Sequence, residues 1–324
     1  MSGQSEHVSS QAAVARSRVE GEDSLAHTLG RVWRSQTMFA LALIAPALIV
    51  ISVVVAYPLV RSLVLSFQTY ELTNPATQGQ WVGFTHFQNL FKNKFFLMSW
   101  KIALIYGVGS VSGMFVLGFG FALLLNQVSF RNWYRGVVLL PWVIPPIAAA
   151  LLWWWIFDLS HGVINLTLRH FGLITQNIAW ISDPDRALFS VMIATVWRLF
   201  PFDMVMLLAG LQTVPSDLLD AAAVDGAGPT RRFLHVTLPH MRNIIIVVLL
   251  LTTIWSFQEF TMIWGITKGG PVYATRTLNL FIFQDSFEFF RMGEAAAAGV
   301  TWLVALLILS VIVARFGLRE QEVL

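Results

Sequence analysis

"DLLDAAAVDGAGPTRRFLHVTLPH", Asp217–His240, is unlike the chain around it. Long oily segments run on either side. Within it stand three acids, two adjacent arginines, a Gly-Ala-Gly-Pro break and a second proline. Ser216 is placed to cap a helix, with Asp217 and Asp220 in its first turn, where the helix dipole favours negative charge. "LLDAAAV" continues as a good helix former, and Gly226 is placed to end it in a left-handed C-cap. Pro229 opens a second short helix, "TRRFLHVTL", and Pro239 is expected to close that one. Ala221, Ala222, Ala223 and Ala227 leave a slim face, and Phe233 offers one large apolar knob. The prediction is a rigid helix-break-helix protrusion, suited to a groove on another protein.

The oily surroundings define the class. Of 324 residues, 56% are hydrophobic and 12% charged, against about 25% charged in soluble domains. This is the composition of a polytopic membrane protein. A net charge of +3 gives no reason to expect nucleic acid. The absence of cysteine excludes disulfides and thiol chemistry, and no histidine lies inside an oily run.

A bilayer core takes about 20 apolar residues as helix. Six segments qualify, at 38–67, 102–126, 136–157, 187–211, 243–265 and 294–316. Residues 1–36 are polar, cannot bury a core, and are expected to be a disordered tail or a short surface helix. The expected organisation is this tail, a six-helix membrane domain over 37–318 that includes the loop 212–242, and a short tail, 319–324. Pro141, Pro145 and Pro146 should kink the third span. Glycines 107, 109, 113, 118 and 120 in the second suggest close helix packing. Lys and Arg near the spans, eleven against nine, favour both termini and the loop 212–242 on the cytoplasmic side. That leaves 68–101, 158–186 and 266–293 outside. In the second of these, Val163, Ile164, Leu166, Leu168 and Phe171 have the spacing of a surface helix. Trp153, Trp154 and Trp155 fit an interfacial aromatic belt.

"DAAAVDGAGPTRRFLHVTLP" resembles the EAA motif of binding-protein-dependent ATP-binding-cassette (ABC) importer permeases. It has acid-Ala-Ala, a glycine six residues after the acid, an aromatic, then Leu-Pro. The resemblance assigns Asp220, Ala221, Ala222, Asp225, Gly226, Ala227, Phe233, Leu238 and Pro239 to a coupling element that docks on ATPase subunits. The family usually carries Glu where this chain has the shorter Asp220. "VVLLPWVIPPIAAALLWWWIFD", "WISDP", "VWRLFPFDMVMLLAGLQTVPSDLLDAAAVDGAG" and "WGITKGGP" resemble the carbohydrate-uptake subfamily, and "TKGGP" its larger, maltose-type half. The resemblance spans residues 36–318. It implies an all-α membrane protein with six transmembrane helices in the type I importer permease (MetI-like) fold, in a bacterial inner membrane. The implied partners are a second permease subunit, an ATPase dimer and an external solute-binding protein. The implied cargo is a sugar, polyol or glycerol phosphate. No cofactor is expected in this chain, ATP and Mg belonging to the partner ATPase.

Charges inside the spans are few and costly, so each needs a partner or water. They are Arg198 and Asp203 in the fourth span and Glu259 in the fifth. Thr195, Arg198 and Phe202 share one helical face, as do Thr252, Ser256 and Glu259 on the next. Such faces, with Phe202 and Trp255 nearby, suit a polyhydroxylated ligand. The family resemblance implicates Thr195, Arg198, Leu199 and Phe202, then Ser256, Gln258 and Glu259. Two alternatives stay open: a pairing of Arg198 with Glu259 across the bundle, and a role for Thr195 and Ser256 in packing or back-bonding alone. Two rival classes have less support. A secondary transporter would be expected to show internal repeats and a coupling-ion site. A membrane enzyme would need a metal-ligand pair, a nucleophile motif or a P-loop, and the sequence has none. Any ATP must then be hydrolysed elsewhere.

Overall fold

The computed structural model describes residues 36–127 and 131–318. The expectations for 1–35, 128–130 and 319–324 lie outside the described residues. The chain divides into two units, between Ser62 and Leu63.

The first unit is mainly one helix, α1. It starts as Gln36–Ile51, widens into a π-helical turn at Ser52–Ala56 and runs on as Tyr57–Leu65. The π turn has a local cause. Pro58 has no N–H, and the residue before it, Tyr57, donates to Ser52 O, a five-residue step in place of four. The window Met38–Leu65 is long and apolar enough to cross a membrane, and its apolar side chains are exposed.

The second unit begins with a small hairpin, β1 (Gln68–Thr69) against β2 (Gln80–Trp81). Then come α2 (Thr85–Lys92) and α3 (Lys94–Gln127). α3 starts eight residues before the expected 102 and is about 51 Å long at 1.5 Å per residue. The third span is two helices, α4 (Arg131–Val143) and α5 (Pro146–Ile156), at 90° to each other. The expected kink is therefore a break. Ile144 and Pro145 each precede a proline and are pushed out of the helical region; Pro145 has φ −53° and ψ 135°. Pro141, by contrast, is absorbed within α4.

A short surface helix, α6 (Val163–His170), follows, close to where the amphipathic spacing put one. Its connection is stitched by Asn165, fully buried. The Asn165 amide donates to Leu159 O and Ile178 O, and its carbonyl accepts from Ile178 N–H and Trp180 Nε1. Asp158 accepts from the N–H groups of His161 and Ser160, and these hold its carboxyl below the usual range. Trp154 and Trp155 are exposed as a belt requires. Trp153 is not part of it: it turns inward onto Phe157 and Trp197.

α7 (Pro184–Leu211) is the central rod, capped by Asp183 accepting from Asp185 N–H. Of its 18-residue apolar window 61% is buried, far more than in the other long helices. α3 packs along it, and the glycine reading explains how. A Cβ on Gly118 would lie 2.6 Å from Asp203 Cβ, and one on Gly113 would lie 2.8 Å from Val196. Gly107 faces the Phe257 ring instead, and Gly120 faces open space, so it is no packing glycine.

After α7 come α8 (Ser216–Val224) and α9 (Pro229–Arg232). The expected fifth span is also split, into α10 (Arg242–Gln258) and α11 (Thr261–Thr267). α12 (Leu278–Phe287) and α13 (Met292–Leu318) complete the chain. Among the described residues, four helices are long and apolar enough to span alone. The count reaches six if each of two bent pairs, α4 with α5 and residues 229–240 with α10, is one span.

Candidate functional site

Two places concentrate polar chemistry. The first is a cavity of about 400 Å³. Trp142 and Pro146 line it from the break in the third span. Arg198 and Leu199 line it from α7. Trp255, Gln258, Glu259, Phe260 and Thr261 line it from the end of α10 and the break beyond. Phe202 stands behind this wall, its ring 4.7 Å from Trp255 and 6.2 Å from Trp142.

Glu259 is not inside a helix, as the i, i+4, i+7 spacing with Thr252 and Ser256 predicts. α10 stops at Gln258, and Glu259 is extended, with φ −62° and ψ 126°. Released from the helix, its carboxylate does two jobs. Oε2 accepts from Arg198 Nη2 at 2.9 Å, and Oε1 accepts from Met262 N–H at 3.0 Å, capping α11. Both side chains of the pair are about nine-tenths buried. The two charges cancel, so the cavity wall carries no net charge among its lining residues, and its remaining surface is three aromatic rings, Pro146, Leu199, Thr261 and the Gln258 amide.

The structure does not bring Thr195 or Ser256 to this wall. Thr195 is fully buried and shares a 2.8 Å hydrogen bond with Tyr106 of α3. Thr252 back-bonds to Val248 O. Ser256 Oγ is buried and, like Arg198 Nε, has no hydrogen-bond partner among the described residues. Asp203 is fully buried beside Gly118, away from the cavity, and its oxygens have no such partner either. Trp142, Pro146, Phe260 and Thr261 are not among the site residues read from the sequence, where Pro146 figures only as a kink. Only Trp142 could have been, as an aromatic beside the Pro145-Pro146 break. A second cavity, about 370 Å³, lies between α3, α10 and α13. Trp100, Leu104, Phe257, Trp302 and Leu306 wall it with no charged group, so it has little with which to orient a polar molecule. Among the described residues no cluster of His, Asp and Glu could hold a metal.

The second place is the stretch Asp217–His240. α8 and α9 bury none of their residues. Asp220, Ala221, Asp225, Gly226 and Pro239 are exposed, and Ala222, Ala227, Phe233 and Leu238 half-buried. Gly226 has φ +80°, Ala227 N–H donates to Ala222 O, and Gly226 N–H donates to Ala223 O. This is a Schellman ending, as the sequence indicates. Pro229 opens α9 after Gly228. Three local details differ from expectation. Ser216 is the first helical residue rather than the cap, a place taken by Pro215. Phe233 is no free knob, because its ring packs 5.8 Å from Phe119 of α3. Pro239 does not end the helix: a π turn at Phe233–Thr237 carries it into Leu238–His240. Leu238, just before the proline, donates to Phe233 O, the same five-residue step seen before Pro58. The chain then bends by 67° into α10.

Known proteins resemble most of this chain. A sulfoquinovosyl glycerol transport system permease from Agrobacterium fabrum is 35% identical, over 81% of this chain and 85% of that one. A trehalose/maltose transport system permease from Thermococcus litoralis is 33% identical, over 83% and 89%. The fold is that of a chain from a bacterial ABC transporter that imports alginate, with a TM-score of 0.77 over 90% of this chain and 99% of that one, at 23% identity. Residues 114–320, which hold the whole cavity wall and the helix-glycine-helix, match the family of binding-protein-dependent transport system inner membrane components, and the chain belongs to that family.

Proposed function

We propose that this chain is one permease subunit of an ABC importer that passes a carbohydrate or related polyol. The observation that carries the reading is the cavity between α7 and the break after α10. Its only charges, Arg198 and Glu259, cancel, and Trp142, Trp255 and Phe260 surround them. A neutral polyhydroxylated molecule suits such walls: sugar C–H faces stack on rings, while hydroxyls seek paired donors and acceptors. Arg198, Leu199, Gln258 and Glu259 touch the ligand in this reading. Phe202 fixes the Trp255 ring, and Thr195 and Ser256 support the wall from behind. The names of two relatives, transport system permeases for sulfoquinovosyl glycerol and for trehalose and maltose, support the carbohydrate class.

Asp220, Ala221, Ala222, Asp225, Gly226, Ala227, Phe233, Leu238 and Pro239 form the element that meets the ATPase. A nine-residue helix that buries nothing in its own chain, and leaves Leu218 and Val224 exposed, is completed by a partner. The chain has no P-loop and is no enzyme; ATP and Mg are handled by an ATPase dimer. A second permease supplies the other half of the pathway, and an external solute-binding protein delivers the ligand. In this arrangement both termini and residues 212–242 face the cytoplasm of a cell with the chain in its inner membrane. The test is the reconstituted complex of both permeases, the ATPase dimer and the binding protein. A saccharide or polyol from a panel should stimulate its ATP hydrolysis. Stimulation by glycerol phosphate or another non-sugar solute alone overturns the assignment of ligand class.

A further inference from the structure

The fifth span breaks without a proline or glycine at the break, and two side chains, Glu259 at the break itself and Asn279 from further along the chain, take the place of the missing helix bonds. In an unbroken helix, Phe257 O would accept from the N–H four residues on, at Thr261, and Gln258 O from that of Met262. Here Met262 N–H goes to the Glu259 carboxylate, and Phe257 O accepts from the Asn279 side-chain amide at 2.9 Å. Helical bonding resumes with Trp264 N–H donating to Phe260 O. Non-helical backbone at membrane depth persists only where protein or a cavity satisfies it. Asn279 satisfies one of its exposed carbonyls.

Asn279 stands in the first turn of α12, which is anchored at its other end. Asp285 accepts from Arg291 at 2.9 Å and lies 3.9 Å from Arg276, whose guanidinium stacks over Phe281 at 4.7 Å and Tyr273 at 4.9 Å. α12 and the connection before it therefore move as a block.

We infer that Asn279 is a positioning residue that holds the fifth-span break in its cavity-forming shape and ties that shape to α12. The inference rests on the cavity being the ligand site proposed above. If α12 withdraws by more than a hydrogen bond tolerates, a few tenths of an ångström beyond 2.9 Å, Phe257 O is free to take back Thr261 N–H. The helix then closes through the break and carries Gln258, Glu259 and Thr261 off the cavity wall. The segment 266–293, on the side where a binding protein would sit, thus has a direct mechanical hold on the ligand site.

The chain has no cysteine, so Thr261→Cys reports on the wall in the assembled full complex, with 2-sulfonatoethyl methanethiosulfonate as the probe. Asn279→Asp keeps the size of the side chain and removes its donor. It should slow labelling at position 261 at least fivefold, while Asn279→Gln, which keeps the amide, stays within about twofold. Val272→Cys, exposed on the connection, should label at an unchanged rate in both. Unchanged labelling at 261 in Asn279→Asp overturns the inference and leaves the importer reading standing, since the assay needs no transport. If labelling at 272 also shifts, the decision passes to Asn279→Ala, with the same two expectations and the same contrary result.

Discussion

The fourth and fifth spans face each other across the cavity, and their backbones contradict their sequences. α7 contains Pro201 and runs unbroken from Pro184 to Leu211. The segment from Arg242 to Thr267 contains no proline, yet parts at Glu259 and Phe260. A proline removes one donor, and a helix packed on several sides absorbs that; α7 is packed this way by α3, α4 and α10. The fifth span breaks because side chains reward the break. Arg198, 61 positions away, holds Glu259, and Asn279, 22 positions away from Phe257, replaces a backbone donor. Breaks imposed by local chemistry and breaks held by distant partners respond differently to mutation, and that difference can be measured.

The largest effect should come from Glu259→Ala. It strands the Arg198 cation in a nearly dry site, at a cost of about 3–5 kcal/mol, so the complex should assemble poorly in detergent. Adding Arg198→Ala should recover most of the loss. Recovery should stay incomplete by about 1 kcal/mol, because Met262 N–H still lacks its cap. If the double change assembles no better than the single one, the ion pair is not what holds the break.

Gly226→Val probes a break of the local kind. A Cβ there meets nothing within 4 Å, so only the φ of +80° resists it, at about 1–2 kcal/mol. The chain should still insert, while stimulated ATP hydrolysis and uptake are lost. Normal uptake in this variant removes the coupling role from the loop.

Pro201→Ala should do least. The new N–H regains a bond to Trp197 O worth about 1 kcal/mol, against about two buried methylenes lost at about 0.8 kcal/mol each. The melting temperature of the complex should move by no more than a few degrees. A large fall would mean that Pro201 shapes α7 after all.

The same contrast explains what the sequence discloses. Apolar length marks the six oily segments. Gly226 and Pro229 announce their turns because each acts through its own backbone. The Pro145-Pro146 pair announces a disturbance, though not a bend of 90°. Arg198 and Glu259 stand out because charge is costly in a span. The break at Glu259 has no local mark: "SFQEFTM" reads as helix until Arg198 and Asn279 are brought to it. The family resemblance sets Thr195 beside Arg198, whereas Thr195 turns to Tyr106 within the unbroken α7; helical spacing sets Ser256 on one face with Glu259, and the break after Gln258 parts them. Periodicity predicts faces only while the helix continues.

The central claim is that the broken fifth span forms the wall of the ligand site. Gln258 is exposed on that wall, so a single Gln258→Cys in the assembled complex is the most direct probe. Labelling by 2-sulfonatoethyl methanethiosulfonate should slow at least fivefold when the saccharide that stimulates ATP hydrolysis is delivered by the binding protein under conditions that trap it before release. Equal labelling with and without that saccharide, in a complex whose ATP hydrolysis it still stimulates, would contradict the account.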